Sequence, residues 1–498
     1  MEIKTSDSIF SVHFETLGCR LNQIESEAAA KSFIDAGFNV DMESVTASAE
    51  EMPAVLCVVN TCTVTGKAEQ KARRLIRLLL RKYPEACVLV TGCYAQLEAE
   101  QISKIDNRIC VLPGARKDVL ADIPQKLLDY LNNAQKNVSV SDFIRSIIPE
   151  DSSVKVKKFT PVDAFRLSTD SFLIHSRSAV KIQDGCNNAC AYCRIHLARG
   201  RSVSLSAHSV LERVIKLEQQ GHHEVVLTGV NLSQYHGEYF DKTVDLAELL
   251  EVLISSTKHI KFRISSLYPD RVDEALCRLF KSDRVQPHFH LSVQSGSDNI
   301  LAKMGRVYRS DCVLNAVEQL RKIKDNPFIA CDLIAGFPGE TDEDFEQTME
   351  LCRKANFSWV HAFPFSPRPG TPAFSMKPAV PQSVAQQRVA TLTEFAIQSK
   401  CSYISLWSGK TVNVITELSR SDRSSQKSDG EAITHGVIVT HGVTDNFLHV
   451  EIPGKYPAGS LLQVKIVEPL ESRIRRGDEC EASAQVVHNE NPAEGTST

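Results

Sequence analysis

The sequence has no long hydrophobic run and no strong charge of one sign. None of its apolar stretches approaches the roughly 20 residues that a membrane-spanning helix needs. The N-terminal segment MEIKTSDSIFSVHFE lacks the basic, apolar and small-residue order of a secretion signal. The formal net charge is only −4, so a nucleic-acid partner would need a locally basic surface. These absences predict a cytoplasmic protein without a membrane anchor. The length of 498 residues predicts about two to four domains.

Cysteine is the residue that the chain has in quantity, with 15 copies. Thiols stay reduced in the cytoplasm, so clustered cysteines there are more typical of metal or catalytic sites than of disulfides. Nine of the cysteines stand alone in the sequence and are interpreted as small buried hydrophobic residues. The other six form two groups of three, and these groups carry the functional hypotheses.

The first group belongs to a predicted α/β domain at residues 1–135. Short apolar runs alternate there with helical patterns, which predicts a doubly wound parallel sheet. Cys19, Cys62 and Cys93 each follow one of the predicted strands within one to three residues. Because parallel strands end at the same edge of a sheet, we expect the three thiols to meet in the crevice at that edge. The alternative is an accidental placement of three buried thiols.

Four further segments follow along the chain. Residues 136–175 are interpreted as a linker or insertion, because they are Ser-rich and weakly periodic. Six strand-and-helix units at 176–398 predict an open or partial parallel (β/α)6 barrel with its site at the carboxyl ends of the strands. Short strands with Gly and Asn turns at 399–470 predict a small antiparallel β-barrel. Residues 471–498 are predicted to be disordered.

The second group is Cys186, Cys190 and Cys193, on a loop directly after the first predicted barrel strand. Iron–sulfur clusters are held by cysteine thiolates, and three ligands leave one iron of a 4Fe–4S cluster open. Such an iron can chelate a ligand that has an amino and a carboxylate group. The alternatives are packing thiols or a zinc site in which His196 is the fourth ligand.

The CxxxCxxC spacing resembles that of the radical S-adenosylmethionine superfamily. The resemblance implies that the open iron binds S-adenosylmethionine and that its reductive cleavage yields a 5′-deoxyadenosyl radical. It also implies that the aromatic residue before the last cysteine packs beside the adenine and that strand-end residues face the cofactor. In this chain these residues are Tyr192, Thr228, Gly229, Gln294, Ser295 and Asp332. Apart from Tyr192, ordinary turn chemistry is the alternative explanation of such residues.

With both groups of cysteines, the chain resembles the methylthiotransferases over about residues 10–470. This resemblance implies a second 4Fe–4S cluster on Cys19, Cys62 and Cys93, and it makes the C-terminal barrel a TRAM-like module. It further implies tRNA, through its anticodon loop, as a partner, together with an electron donor and a sulfur source. A monomer is expected. One departure is His196, which stands where the family usually has proline.

The segment NTCTVTGKAEQKARR resembles the branch that acts on N6-threonylcarbamoyladenosine in tRNA. The implied reaction adds a methylthio group to carbon 2 of that base at position 37. Branches that act on isopentenyl-adenosine in tRNA or on a ribosomal-protein aspartate are alternatives, and a zinc-bearing RNA-binding protein is an alternative from another class. Mass analysis of nucleosides and peptides distinguishes the three methylthiotransferase branches from one another. The iron content distinguishes all of them from a zinc-bearing RNA-binding protein. No side chain is nominated as a general acid or base.

Basic residues near both cysteine groups are candidates for RNA binding. Several lie on one face of the helix predicted at residues 69–82 or just before it, and two follow the second cysteine group. The candidates are Lys67, Lys71, Arg74, Arg77, Arg199 and Arg201. A phosphate track is one interpretation of this pattern. An ordinary solvated helix face is the other.

Overall fold

The computed structural model describes residues 10–48, 50–133, 138–149, 163–169, 177–417, 433–434 and 437–487. These residues form an N-terminal α/β domain, a central parallel barrel and a small C-terminal β-barrel. The predicted fold class is therefore confirmed. Within the described ranges, no helix is both long and apolar enough to cross a membrane.

The N-terminal domain is built on one fully parallel sheet. Its strands are β1 (Ser11–Thr16), β2 (Asn39–Asp41), β3 (Leu56–Thr61), β4 (Cys87–Gly92) and β5 (Ile109–Val111). Its helices are α1 (Arg20–Asp35), α2 (Gly66–Lys82), α3 (Cys93–Leu97), α4 (Ala99–Ser103), α5 (Ile123–Asn133) and α6 (Val140–Ile147). The strand order is β2-β1-β3-β4-β5.

Helices cover both faces of this sheet, which explains why β3 and β4 are buried at every residue. Helix α2 packs on one face through an apolar stripe of Ala72, Ile76 and Leu79, while α1 and α5 pack on the other. The strand order reverses between β1 and β3, where open α/β sheets have their binding crevice. Cys19 and Cys62 follow these two strands, so the chain brings them to that crevice.

Part of the segment 136–175 is folded onto the same sheet. Helix α6 buries Ile144 in the core that β1 and β4 also line, and Leu167 joins that core. Arg166 forms an ion pair with Asp122, the residue directly before α5. A linker is therefore the wrong interpretation of residues 140–147 and 163–169, because their apolar side chains pack into this core, while an insertion stays a prediction. The rest of the segment lies outside the described residues.

The central barrel contains the six predicted strands in order. The strands of this region are β6 (Ser178–Lys181), β7 (Gln183–Asp184), β8 (Val203–Ser204), β9 (Glu224–Thr228), β10 (Gly237–Tyr239), β11 (Lys242–Val244), β12 (Lys261–Ile264), β13 (Ser266–Leu267), β14 (His288–Gln294), β15 (Phe328–Ala335) and β16 (Trp359–Pro364). Parallel pairing joins β6-β9-β12 and β13-β14-β15-β16. Only Ser265 separates β12 from β13, so the chain links the two sheets into one curved wall. Among the described strands, β6 and β16 do not pair, and the barrel is open between them.

The helices of this region cover the outer side of the wall, except for the first, which packs against α3 of the N-terminal domain. They are α7 (Ile195–Arg199), α8 (Ala207–Gln219), α9 (Leu246–Ser256), α10 (Glu274–Phe280), α11 (Asp298–Met304), α12 (Ser310–Ile323), α13 (Asp342–Ala355) and α14 (Gln382–Trp407). Helix α13 starts at the capping box of Thr341 and Asp344, whose side chains bond each other's backbone N–H groups. Helix α14 runs without a break across the domain boundary predicted at residues 398–399, so that boundary is wrong.

The C-terminal barrel closes with a strand from the segment predicted to be disordered. Its elements are β17 (Thr411–Thr416), β18 (Ile433–Thr434), β19 (Val437–Thr444), β20 (His449–Pro453), β21 (Leu461–Pro469), α15 (Glu471–Arg476) and β22 (Ala482–Val486). Strand β22 lies between β21 and β20, and β19 returns to β17. The disorder prediction is wrong up to residue 487, because the barrel needs β22 to pair both neighbours and to bury Ala482 and Ala484. Residues 488–498 lie outside the described residues.

Candidate functional site

Three cysteines of the N-terminal domain, called here the N-terminal trio, lie at the carboxyl edge of its sheet. Cys19 follows β1, while Cys62 and Cys93 directly follow β3 and β4. The turn at Gly18 approaches Cys62 so closely that an added Cβ atom would lie 2.6 Å from Cβ of Cys62. Gly18 also has a φ of +109°, which side chains disfavour. The turn therefore requires glycine to bring Cys19 and Cys62 together.

The barrel trio, Cys186, Cys190 and Cys193, lies on the loop between β7 and α7. Two backbone contacts shape this loop. The N–H of Cys186 donates to the carbonyl of Gly200 over 3.0 Å, and the N–H of Ile195 donates to Sγ of Cys193 over 3.4 Å. His196 takes a position inside α7, so the chain is helical where the family usually has proline.

Burial makes free thiolates costly at both trios. Burial, reinforced by the neighbouring Cys93, raises the pKa of Cys62 to about 12. Burial also raises the pKa of Cys193 to about 12, with Cys190 and Cys186 adding to the effect. Free thiolates are therefore disfavoured at Cys62 and Cys193, first by burial and then by the neighbouring thiols. Coordination to a metal reverses this cost, because the bound cation stabilises the thiolate form.

The donor set bears on which metal group the trios fit. Each trio supplies three cysteine thiols. A structural zinc ion usually takes four protein ligands. A 4Fe–4S cluster is held by cysteine thiolates, and three of them leave its fourth iron without a protein ligand.

The two trios lie on elements that contact each other. Helix α3 begins at Cys93 and packs against α7, which begins two residues after Cys193. Arg194 crosses this junction, and its guanidinium donates to Glu69 over 3.2 Å and to Glu98 over 2.8 Å. Because Arg194 is buried and directly follows Cys193, these bonds couple the loop of the barrel trio to the N-terminal domain.

A half-buried arginine with two buried, unpartnered nitrogens lies beside the barrel trio. The guanidinium of Arg306 lies 4.7 Å from the ring centre of Tyr268, and the rings of Tyr192 and Tyr308 lie at 5.8 and 5.7 Å. Nη2 donates to the Tyr192 hydroxyl over 2.6 Å, but Nε and Nη1 have no partner among the described residues. A buried cation is costly without an anion, so the arrangement fits the carboxylate of a bound ligand. Sequence reasoning missed Arg306, because one arginine in a loop has no periodic or spacing signal.

Four of the predicted cofactor residues end strands or directly follow them near the barrel trio. Thr228 ends β9 and Gln294 ends β14, and both are buried. Gly229 has no room for a side chain, since an added Cβ atom would lie 2.8 Å from Oε1 of Gln183. The Oγ atom of Ser295 accepts from the backbone N–H two residues later. Cofactor binding by these residues stays a prediction, as does the packing of Tyr192 beside the adenine.

Two predicted site residues lie where the hypotheses did not place them. Asp332 lies inside β15 rather than at its end, and its carboxylate lies beside His290. Arg199, predicted to contact RNA, is buried at the domain junction, where it donates to Glu25 over 3.0 Å and to Asp184 over 2.9 Å. The RNA-binding prediction for Arg199 is therefore wrong, because carboxylates of the protein already occupy its guanidinium.

The remaining RNA-binding candidates are open to solvent. Helix α2 begins four residues after Cys62, and the Oγ1 atom of Thr65 caps it by accepting from the N–H of Ala68. The exposed candidates are Lys67, Lys71, Arg74 and Arg77 on α2, and Arg201 after α7. A row of exposed cations beside the N-terminal trio is the charge pattern that suits phosphate, and RNA binding there stays a prediction.

Comparison with known proteins adds to this geometry. Residues 180–352 match the radical SAM superfamily, and residues 11–114 match the uncharacterized protein family UPF0004. The threonylcarbamoyladenosine tRNA methylthiotransferase MtaB of Treponema pallidum is 45% identical, over 82% of this chain and 92% of that protein. The MtaB protein of Thermotoga maritima is 36% identical, over 82% and 86%. The solved structure of the radical S-adenosylmethionine methyltransferase TsrM from Kitasatospora setae has a TM-score of 0.48 and 14% identity, over 74% of this chain and 77% of TsrM.

The parallel barrel, with three cysteines in the loop after its first strand, defines a radical S-adenosylmethionine enzyme. The chain belongs to the family of the threonylcarbamoyladenosine tRNA methylthiotransferases. Its cofactors are two 4Fe–4S clusters and S-adenosylmethionine. The alternative of a zinc-bearing RNA-binding protein without radical chemistry is therefore wrong.

Proposed function

We propose that this chain adds a methylthio group to carbon 2 of N6-threonylcarbamoyladenosine at position 37 of tRNA, beside the anticodon. The names of relatives that are up to 45% identical support this substrate. The observation that carries the proposal is the contact between α3 and α7, which brings the N-terminal trio and the barrel trio to one junction. A cluster that holds sulfur and a cluster that starts radical chemistry must serve the same carbon atom, so they need one shared pocket.

Each trio has a separate role in this proposal. Cys19, Cys62 and Cys93 would hold the cluster that carries the sulfur, and the barrel trio would hold the cluster that binds S-adenosylmethionine. The bound cofactors supply the sulfur, the electron and the adenosyl radical. Arg306 would bind the carboxylate of S-adenosylmethionine through its unpartnered Nε and Nη1 atoms. Tyr192 contacts Phe337 edge to face, and this pair would keep water from the adenine side of the site.

The RNA would approach along the exposed cations of α2. Lys71, Arg74 and Arg77 lie on the solvent side of that helix, beside the N-terminal trio. Anticodon-loop bases are unpaired and can be turned out of their stack into a pocket, which suits a reaction on the edge of one base. The proposal also includes RNA binding by the C-terminal barrel, which is supported by the resemblance to the family alone. A sulfur source and an electron donor outside the chain complete the reaction.

The first test is the iron and sulfide content after anaerobic reconstitution. The wild-type chain is expected to hold about eight irons, and a Cys19→Ala/Cys62→Ala/Cys93→Ala variant about four. A matched control changes Cys312 and Cys401 to alanine, since neither lies in a trio, and it is expected to keep about eight irons. Zinc in place of iron, or unchanged iron in the triple variant, would contradict the proposal.

The second test is mass analysis of nucleosides from tRNA after an anaerobic reaction. The expected product is N6-threonylcarbamoyladenosine with a methylthio group, formed with the wild-type chain and absent with the triple variant. A product on isopentenyl-adenosine RNA alone, or on a ribosomal-protein aspartate, would show that the assigned substrate is wrong while the reaction type is right.

A further inference from the structure

A polar cluster lines the inner face of the barrel, apart from both cysteine trios. It contains His290 on β14, Asp332 on β15 and His361 on β16. Asp332 and His361 lie opposite each other in the parallel register. The two imidazole rings lie 5.5 Å apart between centroids, and Nε2 of His290 lies 3.4 Å from Oδ1 of Asp332. The His361 side chain is exposed, so the open interior of the barrel reaches this level.

His361 directs a neutral hydrogen-bond donor into the interior. The indole Nε1–H of Trp359 donates to Nδ1 of His361 over 3.2 Å. An indole nitrogen only donates, so Nδ1 must accept and the ring proton of the neutral form must lie on Nε2. The side chain is open to the solvent of the lumen, but the barrel walls enclose part of the ring. This partial desolvation, with the nearby His290, lowers the pKa of His361 below its usual range. Among the described residues, its Nε2–H has no hydrogen-bond partner.

Asp332 presents an acceptor at the same level. Its side chain is 29% exposed, and Oδ1 pairs with Nε2 of His290 over 3.4 Å. His290 is held from its other side through Nδ1, which lies 2.8 Å from Oγ of Ser266. Among the described residues, Oδ2 of Asp332 has no hydrogen-bond partner. An ionised carboxylate has about four acceptor positions, so Asp332 is able to bind a ligand N–H. Water satisfies such groups in the free protein, and a ligand that displaces the water must replace its bonds.

We propose that Asp332 and His361, here called the lumen pair, recognise the ureido group that joins the threonine moiety to the modified adenine. A ureido group carries N–H donors beside a carbonyl acceptor, and neighbouring strands about 4.8 Å apart present an acceptor and a donor side by side. The carboxylate of Asp332 accepts from the ureido N–H, and Nε2–H of His361 donates to the ureido carbonyl. The N6–H is common to both modified adenines, but an isopentenyl chain lacks the ureido carbonyl and the second N–H, so it leaves Nε2–H of His361 unpaired.

The role of the lumen pair rests on the proposed function. It identifies Asp332 and His361 as the residues that select between modified adenines. A site built to hydrogen-bond a polar group rejects an analogue without that group strongly, because the buried partners lose their bonds with water. A purely structural role, in which the pair only packs the inner wall, predicts equal losses on every RNA. The two interpretations therefore differ in the ratio of activities on two substrates.

The test uses two synthetic anticodon stem-loops, one with N6-threonylcarbamoyladenosine and one with N6-isopentenyladenosine at position 37. His361→Phe keeps a ring of similar size without the donor, and His361→Gln restores a side-chain N–H. We expect His361→Phe to lower kcat/KM on the ureido RNA roughly 10- to 100-fold, mainly through KM. The affinity for the isopentenyl RNA is expected to stay unchanged, and His361→Gln is expected to recover most of the loss. The matched control is His208→Phe, because His208 is exposed on α8 outside the barrel.

Three measurements keep the outcomes apart: RNA affinity, methylthio product and iron content. A selective loss of affinity for the ureido RNA in His361→Phe supports the lumen pair, whichever product forms. Equal losses on both RNAs, a loss of iron, or unchanged affinity for the ureido RNA would overturn it. If the wild-type chain forms no methylthio product on the ureido RNA, the proposed function fails, and the affinity ratio alone decides the lumen pair.

Discussion

Glu25 neutralises three buried cations at the junction between the N-terminal domain and the barrel. Its carboxylate accepts from Lys181 over 2.8 Å and from Arg199 over 3.0 Å, and it also binds Lys117. Glu25→Gln keeps the shape of the side chain. Among the described residues it leaves the cations with one buried carboxylate, that of Asp184, which pairs with Lys181 and Arg199. Removing one partner of a buried ion pair costs about 3–5 kcal/mol. Because Asp184 still holds two of the cations, we expect a loss of about 3 kcal/mol in the free energy of unfolding.

Urea unfolding of the apo protein, followed by circular dichroism, measures this loss. Glu85→Gln is the matched control, since Glu85 is exposed, and we expect it to change stability by less than about 0.5 kcal/mol. Adding Lys117→Met to the Glu25→Gln variant removes one unpaired cation and should restore part of the stability. A loss below about 1 kcal/mol, or no recovery in the double variant, would refute the assignment of Glu25 as the anion that holds the junction.

The pH dependence gives a second check on Glu25. Burial alone would raise the pKa of Glu25, but the charges of Arg199, Lys117 and Lys181 hold it well below its usual range. A carboxylate with a lowered pKa contributes stability above its unfolded value of about 4.3, and this contribution is lost as the pH falls through the folded value. The difference between wild type and Glu25→Gln should therefore be constant from about pH 8 to pH 5 and shrink below that range. A difference that grows on acidification would contradict the ion-pair explanation.

Three shorter predictions concern the clusters and the RNA. Gly185→Ala should lose the barrel cluster and lower the iron content from about eight to about four, because φ at Gly185 is +68° and an added Cβ would overlap the carbonyl of Arg201. Lys71→Glu with Arg74→Glu should weaken tRNA binding and reduce the slope of log affinity against log salt by about 0.9 per lost phosphate contact, with the iron content unchanged. Arg306→Met should raise KM for S-adenosylmethionine roughly tenfold or more, since a buried charged hydrogen bond to its carboxylate is lost, and unchanged binding by calorimetry would show that Arg306 holds another group.

The sequence predicts the position of the N-terminal trio because regular structure alone determines it. Buried parallel strands read as short apolar runs, and all of them end at one edge of the sheet. Cys62 and Cys93 each directly follow such a run, so their common location needs no knowledge of packing. The local spacing of the barrel trio is likewise visible in eight residues. Features that depend on secondary structure and short spacing are therefore the ones that sequence reasoning predicts.

The wrong predictions concern segments whose partners lie far away along the chain. Strand β22 looks like part of a polar tail, but it pairs in parallel with β20 and in antiparallel with β21, which only the closed barrel makes possible. Arg199 looks like an RNA ligand, but its partner Glu25 lies 174 positions earlier. No local pattern identifies such a pair, because either residue alone has the composition of a surface position.

Basic residues near the two trios thus divide into two groups that sequence cannot separate. Arg194 and Arg199 are buried in ion pairs at the junction, whereas Lys71 and Arg74 are exposed on α2. Salt screens exposed charges strongly and buried pairs much less. The junction can therefore keep the two clusters in one arrangement while the exposed cations bind and release RNA. A buried ion network adds little net stability compared with apolar packing. Its contribution here is to hold the two domains in a single relative position. That position is what a reaction with two clusters and one substrate carbon requires.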